Sequence, residues 1–253
     1  MLMQQTLENL KTMRLSGIAK AYLDQNEKPE SGSLSFDERF SLIIDYEWVC
    51  RQNRFLDRLL KQAKLRIPAC LEDIDYNIPR GLSKSAMATF RSCGWIGNHQ
   101  NILITGPTGV GKTFIGCALG NAACRNGLTV RFYRLNQLIS EFNMAKGDGS
   151  FPELFSKVAK IDLLILDDWG LTPLNSHESR DVLEIIEERY QNRAHIFISQ
   201  LPLEHWHEVL GDPTIADAIL DRIVHNAHKI ILSGESMRKQ MNSVSETNDD
   251  KGA

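Results

Sequence analysis

Five short apolar runs, "NILITG", "TVRFYR", "DLLILDD", "HIFISQ" and "KIILSG", recur between residues 101 and 234. Each is separated from the next by a stretch with helical spacing. A strand that is apolar at nearly every position must be covered on both faces, and strands alternating with helices supply that cover as a parallel sheet between two helical layers. Residues 99–240 are therefore expected to form an α/β core. Its helices should begin near Lys112 and cover Asn136–Lys146, His177–Asn192, Leu203–Leu210 and Thr214–Asn226.

The preceding region has a different texture. Residues 1–66 read as helical throughout, with Phe36, Phe40, Ile43, Ile44, Trp48, Phe55, Leu56, Leu59 and Leu60 spaced for one face of a helix. Pro68 ends that pattern, because proline cannot continue the hydrogen-bond ladder. Residues 67–98 read as a connector with one short helix around Ser83–Arg91. Residues 241–253 are polar, with nothing to bury, and are expected to be disordered. The N-terminus lacks the apolar core and cleavage site of a secretory signal, and no run approaches the ~20 residues that span a bilayer. The five cysteines are odd in number and contain no C-x-x-C pair, which suits reduced thiols in a cytoplasmic protein.

Within the core, "GPTGVGKT" at residues 106–113 fits G-x-x-x-x-G-K-[ST], with a strand before it and a helix after it. Glycines let the backbone curl so that successive amides face a phosphate, and the helix N-terminus adds its positive end. Gly106, Pro107, Thr108, Gly109, Val110, Gly111, Lys112, Thr113 and Phe114 are the expected ATP-binding residues. Lys112 would bridge the β and γ phosphates, and Thr113 would ligate Mg²⁺. The third apolar run ends in two adjacent carboxylates, which would repel each other if left unpaired. A metal at Asp167, with Asp168 orienting or deprotonating the attacking water, accounts for both. A further strand lies between Lys112 and Asp167, an order that resembles the additional-strand group of P-loop ATPases. Many of these carry glutamate at the second position, and the shorter Asp168 implies slow turnover. Ser199 and Gln200 end the fourth run, where a γ-phosphate sensor belongs. Arg222 lies on a helix from which it could reach a neighbouring subunit's nucleotide, and Arg238 follows the last strand, where it could act in cis. His205 with His207, and His225 with His228, lack a third ligand at a spacing suited to zinc.

"GPTGVGKT", "LLILDDWG", "SQLPLEHWHEVLGDPTIADAILDRIVHNAHKIILSGESMRK" and the helical N-terminal region resemble the IstB family over roughly residues 5–240. These are AAA+ helper proteins of bacterial insertion sequences, related to the DnaC helicase loaders. The resemblance implies an AAA+ core with little C-terminal lid, preceded by a small all-helical domain. It implies an ATPase that oligomerises on duplex DNA, deforms it, and recruits or activates a partner transposase. It also supports Arg222 as a finger in trans and Arg238 as a second sensor. With a net charge of −3, any DNA contact must come from local patches. Arg51, Arg54, Arg58, Lys61, Lys64 and Arg66 stand against the single carboxylate of Asp57. The first four recur every three or four residues and share a helix face that could neutralise phosphates without reading sequence. Arg131, Arg134 and Lys146, the last beside a glycine-rich "KGDGS" expected to be a mobile loop, are secondary candidates. Other readings are a helicase loader preferring single strands, a small-metabolite kinase, and a scaffold gated by nucleotide.

Overall fold

The computed structural model describes residues 2–27 and 33–237. Arg238 and the 241–253 tail lie outside them. The chain divides into two compact units, Met1–Arg58 and Leu59–Ala253.

The first unit contains helices α1 (Leu2–Thr12) and α2 (Ser16–Glu27) and most of α3 (Phe36–Ala63). Ser35 and Glu38 start α3 as a reciprocal cap: the Glu38 amide donates to Ser35 Oγ at 3.3 Å, and the Ser35 amide to the Glu38 carboxylate at 2.8 Å. Glu47 on α3 is buried and caps α2, accepting the Gly17 and Ile18 amides at 2.7 and 3.1 Å. Burial alone would raise its pKa. Arg51 and the two amides outweigh that and hold the carboxyl below its usual range. Any β-carbon on Gly17 would stand 2.6 Å from this carboxylate, so only glycine fits there. The expected apolar face of α3 is present but mostly open: Phe36, Phe40, Ile44 and Trp48 are exposed. Two helices of 11 and 12 residues offer too little surface to cover one of 28.

In the second unit come α4 (Lys84–Phe90), α5 (Gly94–Gly97), β1 (Asn101–Thr105), α6 (Lys112–Arg125), β2 (Val130–Arg134), α7 (Leu135–Asp148), α8 (Phe151–Lys160) and β3 (Leu163–Trp169). They are followed by α9 (Ser176–Arg189), β4 (Ala194–Ser199), α10 (Trp206–Val209), α11 (Pro213–Val224) and β5 (Ala227–Ile231). The five strands are parallel, in the order β2-β3-β4-β1-β5. Helix α6 lies on one face, where Gly116 and Gly120 admit Ile198 and Ile165 of the strands. Leu103, Leu164, Leu166 and Phe197 face the other way, into a core shared with α7, α9 and α11.

Two segments differ from the sequence reading. The "KGDGS" loop is shorter than expected. Helix α7 runs to Asp148, and only Gly149, in the left-handed conformation with φ 81°, and Ser150 join it to α8. Lys146 is ion-paired with Asp181 of α9. Helix α8 itself was not expected. Its Phe151 and Phe155 pack on Phe142 of α7, and that tertiary contact fixes it.

Near the start of β4, Arg189 is fully buried and donates to the carbonyls of Val158, Ala159, Ile161 and Ala194 and to Nε2 of His195. Burial, and then the neighbouring Arg193 charge, push its pKa down to about 9. An Arg189→Met variant should lose more than about 3 kcal/mol in urea unfolding, because several buried carbonyls lose their donor. Burial, reinforced by the Arg189 charge, holds His195 well below 6.5. The unfolded chain takes up a proton that the native ring refuses. Stability should therefore fall as pH drops below about 6.5, by about 1.4 kcal/mol per pH unit from this group. Urea titrations across that range should show a flatter profile for His195→Gln.

Candidate nucleotide site

Strand β1 delivers the chain into the loop Gly106–Gly111, and α6 begins at Lys112 with Gly111 as its N-cap. Lys112 is buried, and its Nζ donates to the carbonyls of Gly106 and Pro107 at 2.7 Å each. The loop is clasped from behind by the segment after β5. The Leu232 amide donates to Thr105 and the Met237 amide to Gly109, at 2.8 and 3.0 Å. Gly106 has φ 146°, and a β-carbon there would drive into the Leu232 carbonyl. Arg80, buried in the connector, completes the clasp: its guanidinium donates to the Val110 carbonyl at 3.3 Å and to the Asp75 carbonyl at 3.1 Å.

The two carboxylates owe their placement to a bulge. Leu166 pairs with Phe197 but Trp169 pairs with Ser199, so three steps on β3 match two on β4. Asp168 is the extra residue and sits in the left-handed region, with φ 59°. Regular alternation would send Asp167 and Trp169 to one face and Asp168 to the other. The bulge instead returns Trp169 to the core face of Leu166 and lets both aspartates line one cavity. Asp167 Oδ2 accepts the Thr113 hydroxyl at 2.9 Å and faces Arg66 Nη1 at 3.8 Å. Asp167 Oδ1 accepts the Asp168 amide, and the Asp168 carboxylate faces Arg134 Nε at 3.5 Å.

The cavity measures about 410 Å³ and is also lined by Thr108, Gly109, Gly111, Lys112, Phe114, Ser199 and Gln200. Strand β4 lies between β1 and β3, so its end meets both motifs. The Thr108 hydroxyl donates to Gln200 Oε1 at 2.6 Å. Ser199 is committed to the bulge, donating to the Trp169 carbonyl at 2.7 Å and accepting the Leu201 amide. Arg222 is not in this cavity. It pairs with Glu187 at 2.7 Å beside the start of β1, at the opposite end of the sheet from the phosphate loop.

Burial lowers the Lys112 pKa despite Asp167 and Asp168, and burial raises the Asp167 pKa. Each charge is under-compensated, and phosphate oxygens for the lysine and a cation for the aspartate would relieve both. The donors at Asp167 and Thr113 are two hard oxygens 2.9 Å apart. That set suits Mg²⁺, which takes few protein ligands and completes its shell with water and phosphate oxygens. Among the described residues no group of three His, Cys, Asp or Glu could hold a metal unaided.

Residues 8–245 match the family described as IstB-like ATP binding protein. The chain belongs to that family. This IstB-like chain is 47% identical over 239 residues to the insertion sequence ATP-binding protein y4pL of Sinorhizobium fredii, covering 94% of the former and 98% of the latter. It is 31% identical over 232 residues to the IS21 ATP-binding protein of Pseudomonas aeruginosa, covering 92% and 86%. Its core has the AAA+ fold. The crystal structure of DnaI superposes with a TM-score of 0.55 at 20% identity, over 71% of this chain and 92% of that one. AMPPCP-bound DnaA from Aquifex aeolicus superposes with a TM-score of 0.54 at 18% identity, over 73% and 57%.

Three arginines of the IstB-like chain have roles that its sequence did not disclose. Arg66 and Arg134, read above among the basic DNA candidates, turn toward the two aspartates. Arg80 lies in an irregular connector, where "PRG" belongs to no helical or strand pattern that would mark it. An Arg80→Met variant should stay folded yet bind ATP about tenfold more weakly, measured by titration calorimetry, because the Val110 carbonyl loses a donor that fixes the loop.

Proposed function

We propose that this chain is an ATP-hydrolysing AAA+ helper of DNA transposition. It binds duplex DNA without reading sequence, assembles with copies of itself, remodels the DNA, and recruits or activates a partner transposase. Hydrolysis resets the assembly. The reading is carried by the convergence of Lys112, Thr113, Asp167, Asp168 and Gln200 on one cavity, in a chain whose family relatives are named for insertion sequences.

The loop amides and Lys112 hold the phosphates. Thr113 and Asp167 would hold a Mg²⁺ ion, which would supply neutralising charge to the phosphates. Asp168 orients the attacking water or takes its proton, and its contact with Arg134 restrains that carboxylate. Gln200, tied to Thr108, stands beside the terminal phosphate. Arg222 serves a neighbouring copy's nucleotide, exchanging Glu187 for phosphate. Arg238, next in sequence after the cavity-lining Met237, serves as a second sensor.

DNA meets the basic face of α3. Arg51 and Arg54 share Glu47 as an intramolecular partner, yet about half of each side chain remains exposed. Arg58 lies over the Phe55 ring, and Lys61 and Lys64 are exposed. Contacts of this kind release counterions, so Arg58→Ala with Lys61→Ala should lower the slope of log affinity against log salt by about 2.

The test is sedimentation with duplex or single-stranded DNA of equal length, with and without ATP and Mg²⁺, at two salt concentrations. Large assemblies that need both ATP and duplex support the proposal. Assembly only on single strands would favour a helicase loader, and no DNA-dependent assembly would refute both. Lys112→Ala should abolish ATP binding, and normal hydrolysis by that variant would overturn the nucleotide site.

A further inference from the structure

The arginines around the cavity are committed to different degrees. Arg80 spends its guanidinium on the Val110 and Asp75 carbonyls. Arg134 meets the Asp168 carboxylate, which Mg²⁺ at Asp167 and Thr113 would leave untouched. Arg66 is different. Its one ion pair among the described residues is to Asp167 Oδ2, the oxygen that also takes the Thr113 hydroxyl, and at 3.8 Å it is too long for a hydrogen bond. The side chain is 41% exposed, although it lines the cavity. A guanidinium offers five N–H donors in a planar fork matched to phosphate oxygens.

The backbone that carries Arg66 is held, whereas its head is not. Lys64, the residue after α3, is in the left-handed conformation, with φ 49°, and breaks the helix two residues before Arg66. Leu65 lies against Gly120 of α6, and Ala69 is fully buried. From this anchored base the side chain can pivot between the carboxylate and a ligand in the same cavity. Asp167 Oδ2 cannot serve a divalent cation and the Arg66 cation equally, because the two would repel at close range.

We infer that Arg66 is a phosphate ligand that trades partners: it faces Asp167 when no metal is bound there, and passes to the terminal phosphate when ATP and Mg²⁺ enter. The segment from Leu59 to Ile67 is thereby tied to the state of the nucleotide. The inference rests on the nucleotide reading above and adds a residue and a responsive segment to it.

The experiment titrates fluorescently labelled ATP and ADP, with and without Mg²⁺, into wild-type protein, Arg66→Met, Arg66→Lys and Lys112→Ala. Thermal melting without nucleotide and hydrogen exchange across residues 59–67 accompany the titrations. Arg66→Met should weaken Mg·ATP binding by about tenfold and Mg·ADP binding by less than about twofold, with an unchanged melting temperature. Arg66→Lys should fall between, keeping the charge but losing the fork. ATP with Mg²⁺ should alter exchange at 59–67 in wild type and not in Arg66→Met. Equal losses for ATP and ADP with a lowered melting temperature would make Arg66 a structural countercharge only, and unchanged affinities would also overturn the inference. Neither result would touch the nucleotide site, which fails separately if wild type binds no nucleotide or Lys112→Ala binds it normally.

Discussion

A single extra residue in β3 decides what this core can do. Period-two alternation forbids neighbouring residues of a strand from facing the same cavity, and the bulge at Asp168 suspends that rule for one position. The left-handed conformation it forces on a non-glycine residue costs roughly 1 kcal/mol. Its neighbours hold it in place. Trp169 is locked into the core against Phe197, with ring centroids 4.8 Å apart, and against Trp206. Ser199 clamps the Trp169 carbonyl from the adjacent strand. Packing on one face of the sheet thus determines the chemistry available at its end.

The same placement creates an electrostatic problem. Two carboxylates and a buried lysine share a small cavity, and burial disfavours the charged form of both Lys112 and Asp167. The site offsets this with long, partly exposed arginines, Arg66 and Arg134, and with loop carbonyls that accept from Lys112. Partners of this kind are exchangeable. Both guanidinium groups are partly exposed and their contacts long, 3.8 and 3.5 Å, so each can turn to a phosphate once a cation takes over the carboxylate it faces. Arg80 plays the contrary part: buried behind the loop and bonded to backbone, it fixes the loop instead of answering to its ligand.

Much of this was legible in the sequence because it depends on local pattern. The five apolar runs became the five parallel strands, and "GPTGVGKT" became a loop between β1 and α6. Ser199 and Gln200 were expected at the end of a strand beside the metal-binding one, but that β4 also borders β1 is not fixed by the strand between Lys112 and Asp167 in sequence, since that strand, β2, lies at the sheet edge. What escaped depends on tertiary placement. Nothing in "LLILDDW" marks a bulge, since its apolar run fits a regular strand equally well. The break of α3 ahead of Arg66 comes at a left-handed residue, Lys64, that no glycine announces. Helix α8 holds together through aromatic contacts with α7, and the apolar face of α3 promised a burial that its short neighbours cannot supply.

The sheet also joins the phosphate loop to a polar cluster at its far end. The Asn101 side chain, at the first residue of β1, donates to the Ile223 carbonyl of α11 at 3.0 Å and accepts the His195 amide of β4 at 3.1 Å. His195 in turn takes the Arg189 guanidinium, which gathers the end of α8. One asparagine therefore registers α11, and Arg222 on it, against the strand that leads to Gly106. Strand β1 is five residues long and wholly buried, about 16 Å of backbone with parallel partners on both sides. For Arg222 to serve a neighbouring copy as proposed, it would have to stand at a set distance from its own copy's phosphate loop, or successive sites along an assembly would fall out of step. A buried strand pinned at both ends provides that fixed length, and the cost of burying Arg189 without a carboxylate is understandable as what keeps its lower end in place.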